Sequence, residues 1–257
     1  MKQAVIITGA AGGIGQAFAK EYAKESSTLV LVDKNENSLQ KLKNDLGQVE
    51  AFTLSIDLVQ QNSTETILDF LKSNGLICRS LVHTAGLFSY QDIDKSDMNK
   101  MLLIHHLHTT QPLQLTIALL PQIEEVGEGE IIAMSSFARH TPMPGLAIYS
   151  STKAFVGRFM EILHNEVYEK GVKVMSCEPG AIDTTLYGLP DKYRKLALLL
   201  HVSRTPEKQA KDAIRKVRKG KTHYTPGLLY SVLLPIIKIL PDPLVRFIDK
   251  KISKYKK

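Results

Sequence analysis

Short runs of apolar, often β-branched residues alternate along the chain with longer segments in which apolar residues recur every three or four positions. The short runs predict strands and the longer segments predict helices. The predicted strands are Val5 to Thr8, Leu29 to Val32, Ala51 to Ile56, Leu81 to His83, Ile131 to Ser135 and Val172 to Cys177. Continuous apolar strands joined by helical crossovers predict an α/β fold, with a doubly wound parallel sheet covered by helices on both faces.

A glycine-rich segment follows the first predicted strand, at the carboxyl edge where such sheets bind ligands. Its residues are Thr8, Gly9, Ala10, Ala11, Gly12, Gly13, Ile14 and Gly15. Glycines let the backbone approach a pyrophosphate closely, and the following helix offers it free amides and a positive dipole. An ordinary glycine turn is the alternative. The position at the first crossover favours a dinucleotide in a Rossmann-like domain, with Thr8, Gly9, Gly13, Ile14 and Gly15 as contacts.

Acidic residues end the second and third predicted strands. A carboxylate at Asp33 accepts hydrogen bonds from both adenosine ribose hydroxyls and repels a 2′-phosphate, which favours NAD. The neighbouring Lys34 favours the alternative, NADP, if it pairs with that phosphate. Asp57 and Leu58 are placed to reach the adenine edge, although Asp57 is equally suited to capping the next helix.

Three polar side chains are predicted to converge at the carboxyl edge of the fifth strand. Tyr149 and Lys153 are four residues apart and therefore share one helix face. Ser136 ends the strand that precedes them. A phenol beside an ammonium is a suitable general acid/base, because the positive charge favours the phenolate.

With these motifs in this order, the chain resembles the short-chain dehydrogenase/reductase family over roughly residues 3 to 225. The resemblance implies that Tyr149 is the general acid/base, that Ser136 holds the substrate oxygen and that Lys153 binds the nicotinamide ribose. It further implies cofactor contacts at Tyr149 and Lys153 and at residues after the fourth and sixth strands. These are Ala85, Gly86, Pro179, Gly180, Ile182 and Thr184.

The chain departs from the family pattern at two places. His83 and Thr84 stand where the family usually has two asparagines, and His108 stands where it usually has the Asn of a proton relay. An imidazole at His108 is able to pass a proton, whereas a helix-packing histidine is the equally weighted alternative. His105, His106 and His108 suggest a metal site only weakly, since no carboxylate or cysteine accompanies them, and we expect no metal.

The chain has 257 residues, 44% of them hydrophobic, which is the ordinary globular range. We expect one domain, made of residues 1–225 with a substrate lid at 184–206 and an apolar, basic extension at 226–257. The resemblance implies that the segment 184–206 forms a lid over the substrate. Its leucines suggest a hydrophobic alcohol or ketone, whereas packing of the lid helix on the body is the alternative. No signal sequence is evident, and the two cysteines lie in unpaired apolar stretches, so we expect a cytoplasmic protein.

Basic residues concentrate at the C-terminal end of the chain. Residues 204–257 contain 15 of the 33 Lys and Arg residues but only 4 of the 26 Asp and Glu residues. This charge beside an apolar run suggests peripheral contact with an anionic membrane, although a solvated helix or a subunit contact is an alternative. A nucleic-acid partner is not expected, because no recognition motif is present.

The sequence thus predicts an NAD(P)-dependent oxidoreductase. The resemblance implies a homodimer or homotetramer, paired through the helix around Leu102 to Leu120 and the helix after Tyr149. Leu113, Leu115, Leu119, Phe155 and Phe159 are compatible with that interface. The alternative function is a non-catalytic dinucleotide sensor with the same fold.

Overall fold

A computed structural model of the chain describes residues 1–182, 203–227, 234 and 241–252. Its strands are β1 (Lys2–Thr8), β2 (Thr28–Asp33), β3 (Ala51–Ser55), β4 (Leu76–His83), β5 (Glu130–Met134), β6 (Lys173–Cys177), β7 (Ala181–Ile182), β8 (Ser203–Arg204) and β9 (His223–Tyr224). Its helices are α1 (Gly13–Ala23), α2 (Glu36–Asp45), α3 (Ser63–Ser73), α4 (Met98–His105), α5 (Gln111–Val126), α6 (Ala147–Val167), α7 (Pro206–Arg218) and α8 (Asp242–Ile252).

Seven of these strands form one sheet in the order β3-β2-β1-β4-β5-β6-β9, and every neighbouring pair is parallel. The strand order reverses between β1 and β4, which opens a crevice at the carboxyl edge of the sheet. The predicted α/β fold, a doubly wound Rossmann-like sheet, is confirmed. The six predicted strands all occur, with ends that differ by a few residues.

Two apolar clusters cover the faces of the sheet. One contains α1 and α7 residues such as Phe18, Tyr22 and Val217, all fully buried. The other contains residues of α3, α5 and α6, including Leu119 and Met160. The helices therefore stand on both faces, as continuous apolar strands require.

The predicted long helix around Leu102 to Leu120 is interrupted. Between α4 and α5 the segment His106–Thr110 forms a π-helical turn. Such a turn accommodates an extra residue and rotates the side chains around it. Leu115 and Leu119 lie in the core with no exposed surface, so their predicted place in a subunit interface is wrong.

Two short features escaped the sequence-based prediction. The edge strand β9 pairs with β6 through only two residue positions, Ser176 with His223 and Cys177 with Tyr224. A second small sheet joins β7 to β8. Two-residue strands have no periodicity to detect.

A partly exposed polar network links α1 and the turn after it to α7 beside β5. Glu130 accepts a hydrogen bond from the Tyr22 hydroxyl at 2.7 Å and one from the Arg218 guanidinium at 2.5 Å. Arg218 also donates to Glu25. Because these residues come from α1, β5 and α7, the network fixes α1 and its preceding glycine loop against the sheet.

Both cysteines, Cys78 and Cys177, are buried free thiols. Across the described residues we find no helix with the length and apolarity needed to cross a bilayer.

Candidate active site

The glycine loop between β1 and α1 makes a cradle of backbone. Gly9 has φ of +67°, a conformation that glycine adopts without strain, and a Cβ there would lie 2.6 Å from the backbone N of Ala85. The amide of Gly12 donates to the Gly9 carbonyl at 3.0 Å, closing the turn. Helix α1 has no side-chain cap and no acidic residue in its first turn. Its N-terminus therefore suits an anion such as a pyrophosphate.

The predicted adenosine end of the crevice is a cavity beside this loop. Its lining brings together several of the predicted cofactor residues, namely Gly9, Asp33, Lys34, Asp57, Leu58, Ala85 and Gly86. Asp33 accepts hydrogen bonds from the amides of Ala11 at 3.1 Å and Asn35 at 3.0 Å. Lys34 is exposed beside it. A carboxylate and an ammonium thus stand together where the 2′-position of a bound dinucleotide is expected.

Asp57 does not cap α3. That helix begins at Ser63 with Asn62 as its N-cap residue. The Asp57 carboxylate instead accepts a hydrogen bond from the amide of Val59 at 3.3 Å, within the turn after β3. The turn holds Asp57 and Leu58 against the cavity.

His83, the last residue of β4, and Thr84, which follows it, both have structural roles. The Thr84 hydroxyl donates to the Thr8 carbonyl at 2.6 Å and lies 3.3 Å from the Gly9 carbonyl oxygen. His83 is hydrogen-bonded to Thr116 on α5 at 2.9 Å, and burial lowers its pKa to about 3. Thr84 therefore holds the glycine loop onto β4, and His83 remains neutral in the core.

Helix α6 carries Tyr149 and Lys153 into a second cavity, which shares Gly9, Gly86 and Leu87 with the first. This cavity is lined by residues of both ends of the crevice, including Gly13, Ile14, Gly15, Gly86, His108, Tyr149 and Lys153. The Lys153 ammonium nitrogen lies 5.8 Å from the centroid of the Tyr149 ring. The predicted acid/base pair therefore faces the same space as the predicted pyrophosphate cradle.

Lys153 is held in place by residues at the carboxyl end of β5. Its Nζ donates to the Met134 carbonyl at 2.7 Å, and its own carbonyl accepts a hydrogen bond from Ser135 Oγ at 2.6 Å. Burial lowers the pKa of Lys153 to about 7. The charge of this lysine therefore changes near neutral pH in the free protein.

Ser136 lies at the end of β5 and caps a short 3₁₀ turn, Phe137–His140. Its Oγ accepts the amide hydrogen of Ala138 at 3.1 Å. The hydroxyl hydrogen of Ser136 can therefore point elsewhere, as a substrate oxygen requires. Ser136 is not among the lining residues of the two cavities described above.

The other predicted cofactor residues that the structure describes do not line either cavity; they are Thr8, Pro179, Gly180 and Ile182. Thr8 is buried, and its hydroxyl is 3.4 Å from the Val82 carbonyl. The Pro179 carbonyl accepts the Phe137 amide at 2.9 Å, which links the turn after β6 to the Ser136 turn. Gly180 follows this turn, and Ile182 is buried in β7. Thr184, like most of the predicted lid at 184–206, lies outside the described residues.

His108 projects from the π-helical turn into the part of the second cavity that contains Tyr149 and Lys153, the predicted reacting end of the site. It is 2% exposed. Its Nε2 lies 3.1 Å from the amide nitrogen of Leu87, and its Nδ1 lies 3.0 Å from Thr152 Oγ1. Burial, with a smaller contribution from the Lys153 charge, holds the pKa of His108 well below its usual range. Among the described residues, no cluster of His, Cys, Asp and Glu is arranged to hold a metal ion.

Sequence reasoning did not identify Leu87, Phe88 and Thr152 as residues of the site. The Phe88 ring packs edge-on against the Tyr149 ring, with centroids 4.9 Å apart. Leu87 lines both cavities, and Thr152 bonds His108. Position Thr152, within the Tyr149 to Lys153 segment, was the available signal. Nothing in the local pattern distinguished Leu87 or Phe88 from ordinary loop residues.

The family model for short-chain dehydrogenases matches residues 3–191. The chain belongs to this family, and it is an NAD(P)-dependent oxidoreductase. This result disfavours the non-catalytic sensor that the sequence left as an alternative.

Three similar proteins show the range within the family. Very-long-chain 3-oxoacyl-CoA reductase of Macaca fascicularis is 33% identical over 92% of this chain and 75% of its own. A short-chain dehydrogenase from Streptomyces avermitilis superposes with a TM-score of 0.78 at 25% identity, over 98% of this chain and 96% of its own. The L-sorbose reductase of Gluconobacter frateurii, complexed with NADPH and L-sorbose, has a TM-score of 0.77 at 23% identity, over 88% and 95%.

Proposed function

We propose that the protein interconverts a hydrophobic secondary alcohol and its ketone, with Tyr149 as the general acid/base. The observation that carries this proposal is the shared cavity in which Tyr149 and Lys153 face the glycine loop and Gly86. A phenol, a lysine and an anion cradle around one space are what coupled proton and hydride transfer requires.

Tyr149 supplies the proton in the direction of reduction. A free phenol has a pKa of about 10, so a neighbouring positive charge is needed to bring it towards working pH. Lys153, held by Met134 and 5.8 Å from the ring centroid, is the nearby source of that charge. Ser136 donates a hydrogen bond to the substrate oxygen and stabilises the negative charge that develops there.

The backbone cradle fits a nicotinamide dinucleotide, which supplies or accepts the hydride when bound. Gly9, Gly13, Ile14 and Gly15 bind its pyrophosphate at the N-terminus of α1. Lys153 binds the nicotinamide ribose. The turn containing Pro179, Gly180, Ile182 and Thr184 approaches the carboxamide, a role that only the family resemblance supports.

We further propose that NAD is preferred over NADP. Both oxygens of Asp33 already accept backbone amides, which fixes the carboxylate at the mouth of the cavity. A 2′-phosphate there meets this fixed negative charge, whereas Lys34 is exposed and free to turn away. The NADPH complex of the L-sorbose reductase concerns a protein of the same fold with only 23% identity.

The proposed substrate is a ketone with an apolar chain. Phe88 covers one edge of Tyr149, and Leu87, Ile14 and Met134 line the cavity. The similarity to very-long-chain 3-oxoacyl-CoA reductases supports a 3-oxoacyl thioester as a substrate to test first.

The test of this function is Tyr149→Phe. Removing the proton donor without touching the cradle is expected to lower kcat by about 100-fold or more, while dinucleotide affinity stays within about threefold of wild type. Tyr168→Phe is the matched control, since Tyr168 is 68% exposed, packs at a tilt against His164 and does not line the cavity. A Tyr149→Phe protein that keeps most of its kcat would contradict the mechanism.

A symmetric dimer is proposed through α5 and α6. Ile117, Phe155 and Ile162 are 62%, 43% and 51% exposed, and Phe155 stacks on Phe159. An interface on these helices would bury the exposed apolar surface. Ile162→Lys is expected to yield monomers by light scattering at micromolar concentration. Ile93→Lys, at an equally exposed position outside these helices, is expected to leave the dimer intact.

Peripheral membrane contact is proposed through α8, on a protein that is otherwise cytoplasmic. On this helix Leu244 and Phe247 are 42% and 55% exposed beside Arg246, Lys250 and Lys251. Exposed apolar residues flanked by basic ones suit an anionic bilayer surface. Full-length protein is expected to co-sediment with anionic vesicles at low salt, and Phe247→Glu to weaken this binding. Equal sedimentation of both proteins would contradict the proposal.

A further inference from the structure

The imidazole of His108 joins two separate pieces of the reacting end. One ring nitrogen meets the loop after β4 at the amide of Leu87, and the other meets the first turns of α6 at Thr152. The ring also packs edge-on against Tyr149, with centroids 5.7 Å apart. A Cβ at residue 86 would lie 2.7 Å from Nε2, so glycine is required at Gly86 for the imidazole to reach Leu87.

The direction of these hydrogen bonds follows from the backbone amide of Leu87, which can only donate. The Leu87 amide donates, so Nε2 of His108 accepts and carries no hydrogen. In a neutral imidazole the hydrogen then lies on Nδ1, which donates to Thr152 Oγ1. The Thr152 hydroxyl in turn donates to the Tyr149 carbonyl at 3.0 Å. Every hydrogen-bonding atom of the ring is therefore engaged.

Because both ring nitrogens are engaged, the imidazole cannot take up or release a proton without breaking one of these hydrogen bonds. A proton added at Nε2 would break the bond to Leu87 and place a second positive charge close to Lys153, whose charge already disfavours the cationic form of the imidazole. A proton released from Nδ1 would break the bond to Thr152. The chain instead connects Leu87, His108, Thr152 and Tyr149 in one fixed direction.

The connection matters because Leu87 and Tyr149 line the same cavity. Phe88, which follows Leu87 directly, packs against the Tyr149 ring. The separation between the loop and α6 therefore sets the space in which the substrate carbonyl meets the Tyr149 hydroxyl.

We propose that His108 is a positioning residue that ties the loop after β4 to the first turns of α6, and that it does not carry a proton in the reaction. The proposal rests on the proposed function, because it assigns a role within the same site. It departs from the relay that the family resemblance implies at this position.

The first test reads the hydrogen position directly and needs no substrate. Nitrogen chemical shifts of His108 in ¹⁵N-histidine-labelled wild-type protein are expected to show the neutral Nδ1–H tautomer between about pH 6 and 8. A resonance for Nε2–H, or an imidazolium within that range, would overturn the proposal. This readout stands even if no carbonyl substrate is turned over, so it separates the inference from the proposed function.

The second test replaces His108 by each of the two amide residues, Gln and Asn. Each variant keeps only one of the two hydrogen bonds by which His108 bridges Leu87 and Thr152. The terminal oxygen of His108→Gln reaches the position of Nε2 and keeps the bond to Leu87. The amide nitrogen of His108→Asn reaches only the position of Nδ1 and keeps the bond to Thr152. Because the Leu87 bond sets the loop, the Gln variant is expected to keep kcat within about threefold and the Asn variant to lose about tenfold or more.

A relay predicts the opposite order, since asparagine is the residue that the family uses for it. An Asn variant more active than the Gln variant, or equal losses in both, would overturn the proposal. The pH profile of kcat is expected to be the same for wild type and the Gln variant; loss of a titrating limb in the Gln variant would also overturn it.

A matched pair at Thr152 tests the other half of the bridge. Thr152→Ser keeps the hydroxyl, and Thr152→Val keeps the shape but leaves His108 Nδ1–H without its acceptor. The Ser variant is expected to retain wild-type KM for the carbonyl substrate, and the Val variant to raise it about tenfold. Equal KM values for the two variants would contradict a bridge through Thr152.

Discussion

Around Gly9, at the β1–β2 side of the crevice, the site is made largely of backbone, whereas around Tyr149, at the β4–β5 side, it is made of side chains that hold one another. The cradle consists of turn amides and a helix N-terminus. The reacting end depends on bonds from His108 and Lys153 to groups 19 to 44 residues away. Backbone sites depend on local conformation, and side-chain sites depend on tertiary contacts.

The largest expected effect comes from adding one methyl group to the cradle. Gly9→Ala places a Cβ against Ala85, 2.6 Å from its backbone, and is expected to weaken dinucleotide binding by about 100-fold or more. Gly47→Ala is the matched control, because Gly47 has a φ of +68° but nothing within 4 Å. The two variants share the conformational strain of about 1 to 2 kcal/mol and differ only in the collision.

Binding is measured by the fluorescence of the reduced dinucleotide, which is convenient because the chain has no Trp. If Gly9→Ala binds as tightly as Gly47→Ala, the cradle does not hold the pyrophosphate.

The next effect concerns stability at the reacting end. Burial lowers the pKa of Lys153 to about 7 from 10.5, so the folded state disfavours the charged form. Lys153 therefore adds stability that is fully present above pH 10.5 and is lost as pH falls through about 7. Lys153→Met removes this dependence. The free energy of unfolding of the variant, minus that of wild type, is expected to fall by a few kcal/mol between about pH 7 and 10.

Urea unfolding across this pH range measures the difference. Lys41→Met, at an exposed position of α2, is the control and is expected to follow wild type. A Lys153→Met difference that does not change with pH would mean that the lysine stays charged in the folded protein.

The smallest expected effect is a change in cofactor preference rather than a loss of dinucleotide binding. Asp33→Ala removes the negative charge at the ribose position and is expected to narrow the NADH preference over NADPH by about tenfold. Asp45→Ala, on exposed α2 surface, is expected to leave the ratio unchanged. Stronger NADPH than NADH binding by wild type would show that Lys34 outweighs Asp33.

The same contrast explains what the sequence could predict. The six main strands and the glycine loop follow from local patterns, because their conformation is dictated by neighbouring residues. The π-helical turn around His108 could not be predicted in this way, because one additional residue in a helix leaves the apolar pattern nearly unchanged. The bonds of His108 to Leu87 and Thr152 join positions 21 and 44 residues apart, a relation that no local pattern contains.

The predicted dimer contacts show where a sequence pattern misleads. Leu115 and Leu119 have the spacing of an apolar helix face, but the structure places that face in the core. Ile117, between them, is the exposed residue. Spacing alone identifies a buried face without telling which surface buries it.

The central claim is that the two sides of the crevice together transfer hydride to a carbonyl carbon. It is tested most directly by incubating the wild-type protein with reduced dinucleotide deuterated at both C4 positions and a panel of 3-oxoacyl thioesters and ketones. The account predicts an alcohol product one mass unit heavier, with the deuterium on the carbinol carbon, formed at least about 100-fold more slowly by Tyr149→Phe. Tight dinucleotide binding without deuterium in any product would contradict it.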